Sequence, residues 1–468
     1  MRFLLLYPPR PASTNTVPPV GLLSIGAVLE DLGHEVRLID SALSGLRGKA
    51  LASRIHSYSP DMLLVSAFSS DVAVLTRELP LLKEALGDTP LLLGGPHASC
   101  RGVKTLDDLP QINTIFLGEA EESIVEFLAD PSSRIPGVIS RIDPWDTSPR
   151  HVKDLSVLPI PAWHLAPPAN YTGLPNGVLY RRMPFAPIIT TRGCPYHCTF
   201  CAGYRITGRN IRHRPLSVVG EAIELLVNSF GAKEIHIEDD NFTFDDDYAT
   251  QFCLEAIRRQ YPVFYSTPNG VRLDSLNDHL LELMKRAGWY VIHCGIESGS
   301  DRILRSVRKN LSTSEIRTKI ALINRVGLST AGYFILGLPG ETVDDMNKTI
   351  NFSLSSGLAW AHFASFLPIP GSEAGDRWFS DHPDSEGIWD VFHNTRCPAP
   401  PDGVSRKTLG RLQRKAFLRF YLRSGPMLRL LKQILNPVTF RHHLRRFKNY
   451  LHAGNTWPRV KSGTGTHL

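Results

Sequence analysis

At 468 residues the chain is long enough for two domains of ordinary size plus an extension. Its 42% hydrophobic and 21% charged residues are a globular balance that excludes a disordered or fibrous protein. No apolar run approaches the roughly 18 residues of a membrane span, and seven cysteines, three of them in one cluster, speak against a secreted disulfide framework and for reducing cytoplasm. The net charge of +7 hides an asymmetry. Fifteen Lys and Arg and no Asp or Glu fall between Gly403 and Leu468, so the body before them carries 37 basic against 45 acidic side chains.

The opening MRFLLLYPPRP holds a five-residue apolar run, too short for a signal peptide, that predicts a first buried strand. Buried strands are also predicted at 35–40, 61–67, 90–95 and 113–118, with helical patterns at 21–33 and 74–87 between them. Five strands with intervening helices make a doubly wound, Rossmann-like α/β domain over 1–131, whose ligands bind at the carboxyl ends of the strands. The first strand is not followed by G-x-G-x-x-G, which disfavours a nicotinamide cofactor.

Residues 132–186, rich in Pro and Arg, read as a linker. From 187 to 375 six β/α units follow, with strands predicted near 187–193, 233–239, 263–270, 289–297, 329–337 and 361–369. They predict a partial (β/α)6 TIM-like barrel with its chemistry at the C-terminal rim. Residues 376–468 read as a helical, basic C-terminal region.

The loop after the first barrel strand, TTRGCPYHCTFCAGYR, sets Cys194, Cys198 and Cys201 at C-x3-C-x2-C. Structural zinc normally takes four ligands from separated pairs, and His197 inside the loop is the only local candidate for a fourth. A [4Fe–4S] cluster also usually takes four cysteines, so three leave one iron open to a non-protein ligand.

The loop, with Phe200 at its aromatic position, resembles the signature of the radical S-adenosylmethionine (SAM) superfamily. Further motifs resemble that family in order at successive strand ends: IEDDNFTF (237–244), NGVRLD (269–274), GIESGS (295–300), ILGLPGET (335–342) and PIPGS (368–372). The resemblance implies that Cys194, Cys198 and Cys201 hold three irons and SAM chelates the fourth. A low-potential flavodoxin- or ferredoxin-type donor would then drive release of a 5′-deoxyadenosyl radical. Roles follow by position: Glu238, Asp239, Asp240 and Asn241 for the SAM ammonium, and Glu297 and Ser298 for its ribose or methionine end. The backbone around Gly337 and Gly340 would approach adenine. Arg272 is read evenly as a partner of the SAM carboxylate or of Asp274.

The first domain resembles the cobalamin-binding domain that precedes the barrel in one branch of this superfamily, through residues 8–40, VSAFSSD (65–71), LLLGGPHAS (92–99) and FLGEAEESI (116–124). Cobalamin is expected near Ser66, Phe68, Gly94, Gly95, His97, Gly118 and Glu119. The D-x-H-x-x-G motif that supplies a cobalt ligand elsewhere is absent, and His97 reads equally as packing on its own loop. With only Cys100 in this domain, a second cluster and methylthiotransfer are disfavoured. Cys253 and Cys294 read as core thiols, and for Cys397 a place lining the entrance is the minor reading.

Residues 405–451 predict helices with Leu409, Leu412, Phe417, Phe420, Tyr421, Leu428, Leu431 and Ile434 on an apolar side and five basic residues from Arg411 to Arg423 between them. They read as a cap on the barrel, or as a peripheral segment touching anionic lipid; nucleic acid is disfavoured, with no RNA-binding module recognisable. The expectation is a cobalamin-dependent radical SAM methylase of the class B branch. It would act on an unactivated carbon of a small-molecule or lipid-like substrate, one SAM methylating cobalamin and a second yielding the radical. Cyclisation, rearrangement or carbon–carbon coupling is the alternative within the class, and a non-catalytic carrier or sensor the alternative outside it.

Overall fold

The computed structural model describes residues 1–10, 17–145, 147–171, 180–383, 385–393 and 396–434. Strands β1 (Arg2–Tyr7), β2 (Glu35–Asp40), β3 (Met62–Ser66), β4 (Leu91–Gly94), β5 (Thr114–Phe116) and β6 (Val138–Ser140) form one sheet in the order 2-1-3-4-5-6. All pairs are parallel except β5 with β6. The runs are apolar without alternation because both faces are covered. Leu4 and Leu6 pack with helices Gly48–Tyr58 and Val72–Leu86, while Phe3, Leu5 and Tyr7 pack with helices Val20–Asp31 and Glu121–Ala129. Strand order reverses between β1 and β3, which opens a crevice beyond their carboxyl ends, where open α/β sheets bind ligands.

The second body begins with β7 (Phe185–Ile188), followed by a short hairpin, β8 (Thr191–Arg192) with β9 (Arg212–His213). Then come β10 (Glu234–Ile237), β11 (Phe264–Ser266), β12 (Val291–Glu297), β13 (Ser329–Leu336) and β14 (Trp360–Ser365). Parallel pairing joins β7, β10 and β11 on one side and β12, β13 and β14 on the other. Bridges Tyr265–Trp289 and Val271–Cys294 close the gap between β11 and β12, giving the six-stranded partial barrel. Its outer face is apolar: Ile235, Ile237, Ile292, Ile296 and Phe334 share one core with Ile316, Ile320, Met346 and Ile350 of the surrounding helices. Local signals set the helix ends. Ser312 and Glu315 form a capping box at Thr313–Val326, which stops at Gly327 in the left-handed region.

The stretch read as a linker is packed structure. β6 joins the first sheet, while Trp163 and Tyr171 lie in the barrel core with 2% and 1% exposure. Ala162 N–H donates to Leu23 O and the Tyr171 hydroxyl to Asp40, so this segment fastens the two bodies together. Its aromatic side chains do the filling, and they follow no periodicity that a sequence reading can use.

Helices Arg406–Tyr421 and Ser424–Ile434 follow the barrel. Leu409, Leu412, Ala416 and Phe420 are buried in the barrel core, and Lys415 and Arg419 donate to Asn347 and Asn351 on helix Val343–Ser355. The first helix is therefore a cap, with Phe417, Leu418 and Leu422 exposed. The helix expected beyond residue 434 lies outside the described residues. Among those described, no helix is long and apolar enough to cross a membrane.

Candidate active site

The cysteine loop is anchored before it begins. Asp239, at the end of β10, accepts from Thr190 N (2.7 Å), Thr190 Oγ1 (2.6 Å), Thr191 N (2.9 Å) and Thr191 Oγ1 (2.9 Å). Gly193 then turns at φ +104°, where a Cβ would stand 2.2 Å from Asn210 O, so only glycine closes this hairpin. Cys194 N donates to Gly208 O, Thr199 N to Val307 O, and Gly203 N to Cys201 Sγ at 3.4 Å. The loop is thus tied to its own hairpin and to the end of the short helix Asp301–Ser306 that follows β12. Burial raises all three thiols above their ordinary value, Cys201 to about 11. Among the described residues no three His, Cys, Asp or Glu side chains converge on a single ion. A multi-iron cluster instead offers separate irons to separate thiolates.

The structure brings several rim residues to this loop and turns others away. Asp240 is exposed beside the cysteines and receives the Thr207 hydroxyl. Asn241 Oδ1 accepts from Arg272 N, and its Nδ2 is buried without a partner. Arg272 pairs with Asp274 at 2.8 Å, lies 3.7 Å from the centre of the Tyr196 ring and keeps a buried Nη1 without a partner. Glu297, strained at φ +66°, pairs with buried Lys309 at 2.9 Å. Gly340, at φ +72°, has open space where a side chain would project.

Other expectations at the rim differ. Both oxygens of Asp239 are occupied by Thr190 and Thr191, so it anchors the loop rather than facing an incoming ammonium. Ser298 is fully buried and bonds Thr349 Oγ1 and Ser300 N. The space beside Gly337 is filled by Leu409, 2.8 Å from where a Cβ would be, so the C-terminal cap takes the approach expected for adenine. Phe200 packs against the Ile303, Val307 and Leu338 cluster. Cys397 is 3% exposed with Sγ 3.7 Å from Gln413 Oε1 and lies in the barrel core, not at an entrance.

The barrel lumen was not singled out in the sequence. Strand alternation sends His236, His293, Tyr333 and His362 away from the apolar outer face. His293 stacks on Tyr333 at 5.9 Å, and Tyr333 meets His362 edge-on at 6.0 Å. His293 Nδ1 and Glu238 Oε1 are buried without partners. Buried polar atoms are normally paired, so this lumen has donors and acceptors to offer a ligand. The signal was the alternation in VIHCGIE and STAGYF. Burial drives the His293 pKa down to about 3 and pushes Glu238 up to about 7, against a weaker pull from His236.

The Glu238 shift has a testable sign. From the ordinary carboxylate range up to about pH 7 the folded chain keeps a proton that the unfolded chain has lost, so stability falls as pH rises through that window. Glu238→Gln is expected to be neutral near pH 4 and stabilising by about 1–3 kcal/mol at pH 8. Urea unfolding of the apoprotein at both pH values reads this, and an equal effect at the two would refute it.

In the first domain the strand ends form an open cradle. Phe68 is 43% exposed beside Ser66, and a Cβ at Gly94 would touch only Phe116, at 3.9 Å. Gly95 takes φ +92°, and a Cβ there would stand 2.7 Å from Ser66 Oγ and 3.0 Å from Ala67 N. Of the two readings of His97, the structure takes the packing one. The side chain is fully buried, with Nδ1 3.1 Å from Ser69 Oγ, Nε2 3.4 Å from Asp108 and its ring edge-on to Trp389. Gly118 and Glu119 also turn elsewhere. A Cβ on Gly118 would fall 2.1 Å from Arg150 O, and the Glu119 carboxylate is enclosed by Arg212, Arg192 and Val152 N.

Comparison with known proteins agrees with this division. The Radical SAM superfamily matches residues 188–353 and the B12 binding domain residues 12–128. The chain is a cobalamin-binding radical SAM enzyme. Its cofactors are a [4Fe–4S] cluster, SAM and cobalamin. This radical SAM enzyme is 26% identical to an uncharacterized methyltransferase of Pyrococcus horikoshii over 95% of each chain. It is 27% identical to the cytidylyl-2-hydroxyethylphosphonate methyltransferase of Streptomyces wedmorensis over 80% of each. It is also 28% identical to the anaerobic magnesium-protoporphyrin IX monomethyl ester cyclase of a Synechocystis strain, over 69% of this chain and 66% of that one. The solved structure of the methyltransferase TsrM from Kitasatospora setae, with cobalamin and [4Fe–4S] cluster bound, shares the fold at TM-score 0.66 and 18% identity, covering 81% of this chain and 78% of that one. The residues present fit these groups: three thiols on one anchored loop for the cluster, and the side-chain-poor cradle at Gly94 for a corrin.

Proposed function

We propose that this enzyme methylates an unactivated carbon of a small polar molecule held in the barrel lumen. One observation carries the reading: the helix that follows the corrin cradle, Pro96–Arg101, packs against the helix that follows the cysteines, Gly203–Thr207. Gly371, in the loop after β14, lies so close to Cys100 that a Cβ would stand 2.9 Å from its carbonyl oxygen, and it accepts from the Tyr204 hydroxyl beside the cysteines. Bound there, the cluster with SAM supplies a carbon-centred radical and the corrinoid supplies the methyl group.

The chain's own residues supply placement. Cys194, Cys198 and Cys201 hold the cluster, while Asp240, Asn241 and the free edge of Arg272 are the polar groups available to SAM. Glu238, His293 and Tyr333 face the substrate, and their polarity favours a small hydrogen-bonding molecule over a lipid-like one. The C-terminal helix is engaged with the barrel through Leu409, Lys415 and Arg419, so its packing gives no support to a membrane role. Electrons come from a low-potential flavodoxin- or ferredoxin-type donor.

The likeness to cyclases keeps cyclisation as the second reading. The two separate on products. Anaerobically reconstituted protein, given reductant, SAM with a deuterated methyl group and fractionated pools of polar metabolites, is expected to form both S-adenosylhomocysteine and 5′-deoxyadenosine, with deuterium in one product. 5′-Deoxyadenosine without S-adenosylhomocysteine would transfer the enzyme to the cyclase reading.

A further inference from the structure

Glu119 and Glu121 were brought forward by the FLGEAEES motif, yet neither faces the corrin cradle. Glu119 follows β5, and Arg192 and Arg212 lie on the two strands of the hairpin that bears the cysteine loop. Arg212 grips Glu119 with both nitrogens, at 2.7 and 2.8 Å. Arg192 reaches Glu119 at 3.3 Å and Glu121 at 2.7 Å. Ser24 Oγ donates to Glu121 at 2.9 Å, and Val152 N to Glu119 at 2.8 Å. The four side chains are only 5–12% exposed.

We propose that Glu119, Glu121, Arg192 and Arg212 are positioning residues, a buried clamp between domains that sets the separation of cobalt and cluster. The clamp joins the two elements whose relative position matters most. At one end, Glu119 adjoins the strand ends that cradle the corrin. At the other, Arg192 stands two residues before Cys194. A two-nitrogen fork on a carboxylate fixes orientation as well as distance, which a lysine cannot do. Buried ion pairs are weak sources of stability, and their best-attested use is to enforce register. The backbone adds stiffness here: Glu119 N donates to Arg150 O, and Cys194 N to Gly208 O just across the same hairpin.

The test needs both cofactors loaded but no methyl transfer, so its result is independent of the reaction proposed above. Wild type, Glu119→Gln and Arg212→Lys are reconstituted, and iron and cobalt are counted per chain. Cluster and corrinoid are then poised in their paramagnetic states, and pulsed EPR reads the dipolar coupling between them. At unchanged metal content both variants are expected to give a broader and shifted distance distribution. Glu126→Gln, which removes an exposed partner of Arg150, should leave the distribution as in wild type. Fully loaded variants with the wild-type distribution overturn the clamp. So does loss of cobalt with the spacing of the loaded fraction unchanged, which would return Glu119 to a corrin-binding role. If a single variant does not fold, Glu119→Gln with Arg212→Gln, which removes both charges of the fork, is judged by the same criteria.

Discussion

Replacing Cys194, Cys198 and Cys201 together by alanine is expected to remove essentially all cluster iron and to bring SAM cleavage down to background, with the fold retained. The thiols lie on an irregular loop whose shape is set by other contacts: Asp239 with Thr190 and Thr191, Gly193 at φ +104°, and Thr199 N on Val307 O. None of these involves sulfur, so the apo fold does not depend on the cysteines. Burial holds the thiols protonated, and iron binding therefore has to displace their protons. Two remaining thiolates would leave two irons without a protein ligand, so single alanine variants should already lose most of their iron. Iron per chain, the visible absorption of the reconstituted protein and 5′-deoxyadenosine formed per hour check this. Retained SAM cleavage in the triple variant would remove the cluster from this loop.

The parts legible in the sequence are those in which local pattern and tertiary role coincide. C-x3-C-x2-C announces its chemistry together with the motifs that follow it in order, and LLLGG or KEIHIED announce strand ends because the apolar run stops where the sheet stops. Order along the chain then places each strand end on one rim. What a strand end does not reveal is the direction of its side chain. IEDD places three carboxylates at the end of β10, yet Glu238 enters the lumen, Asp239 turns back to Thr190 and Thr191, and Asp240 faces the cysteines. Pairings over long separations are equally silent. Glu119 finds Arg212 at a separation of 93 residues, and the space beside Gly337 belongs to Leu409. His97 illustrates a third case, where a residue suited to a cofactor is spent on packing because Trp389 covers it. The lumen histidines were hidden for the opposite reason: a polar residue inside a barrel strand reads as an exception to the apolar pattern, although alternation assigns it a face of its own.

Asp239 is where the two readings separate in a single variant. As a SAM ligand its loss would leave the apoprotein unchanged and weaken SAM binding alone. As the anchor it is in this structure, Asp239→Asn replaces one acceptor oxygen by an NH2 group aimed at donors already in place. The carboxylate takes four hydrogen bonds, two from backbone N–H groups and two from hydroxyls, in a site 2% exposed. The hydroxyls can rotate, but a backbone N–H facing an amide NH2 stays unpaired, at about 1–3 kcal/mol for a buried donor. Burial raises the Asp239 pKa to about 7 against the pull of these hydrogen bonds, so losing the charge adds no further cost. The expected destabilisation near pH 7 is about 1–3 kcal/mol, measured on the iron-free, SAM-free protein by urea unfolding. The same change should loosen Thr191 in the hairpin, so iron retention after reconstitution is expected to fall as well. An apoprotein as stable as wild type, with only the SAM affinity reduced, would overturn the anchor and place Asp239 on the ligand. Stability lost before any cofactor is added means instead that this carboxylate builds the loop on which the cluster chemistry depends.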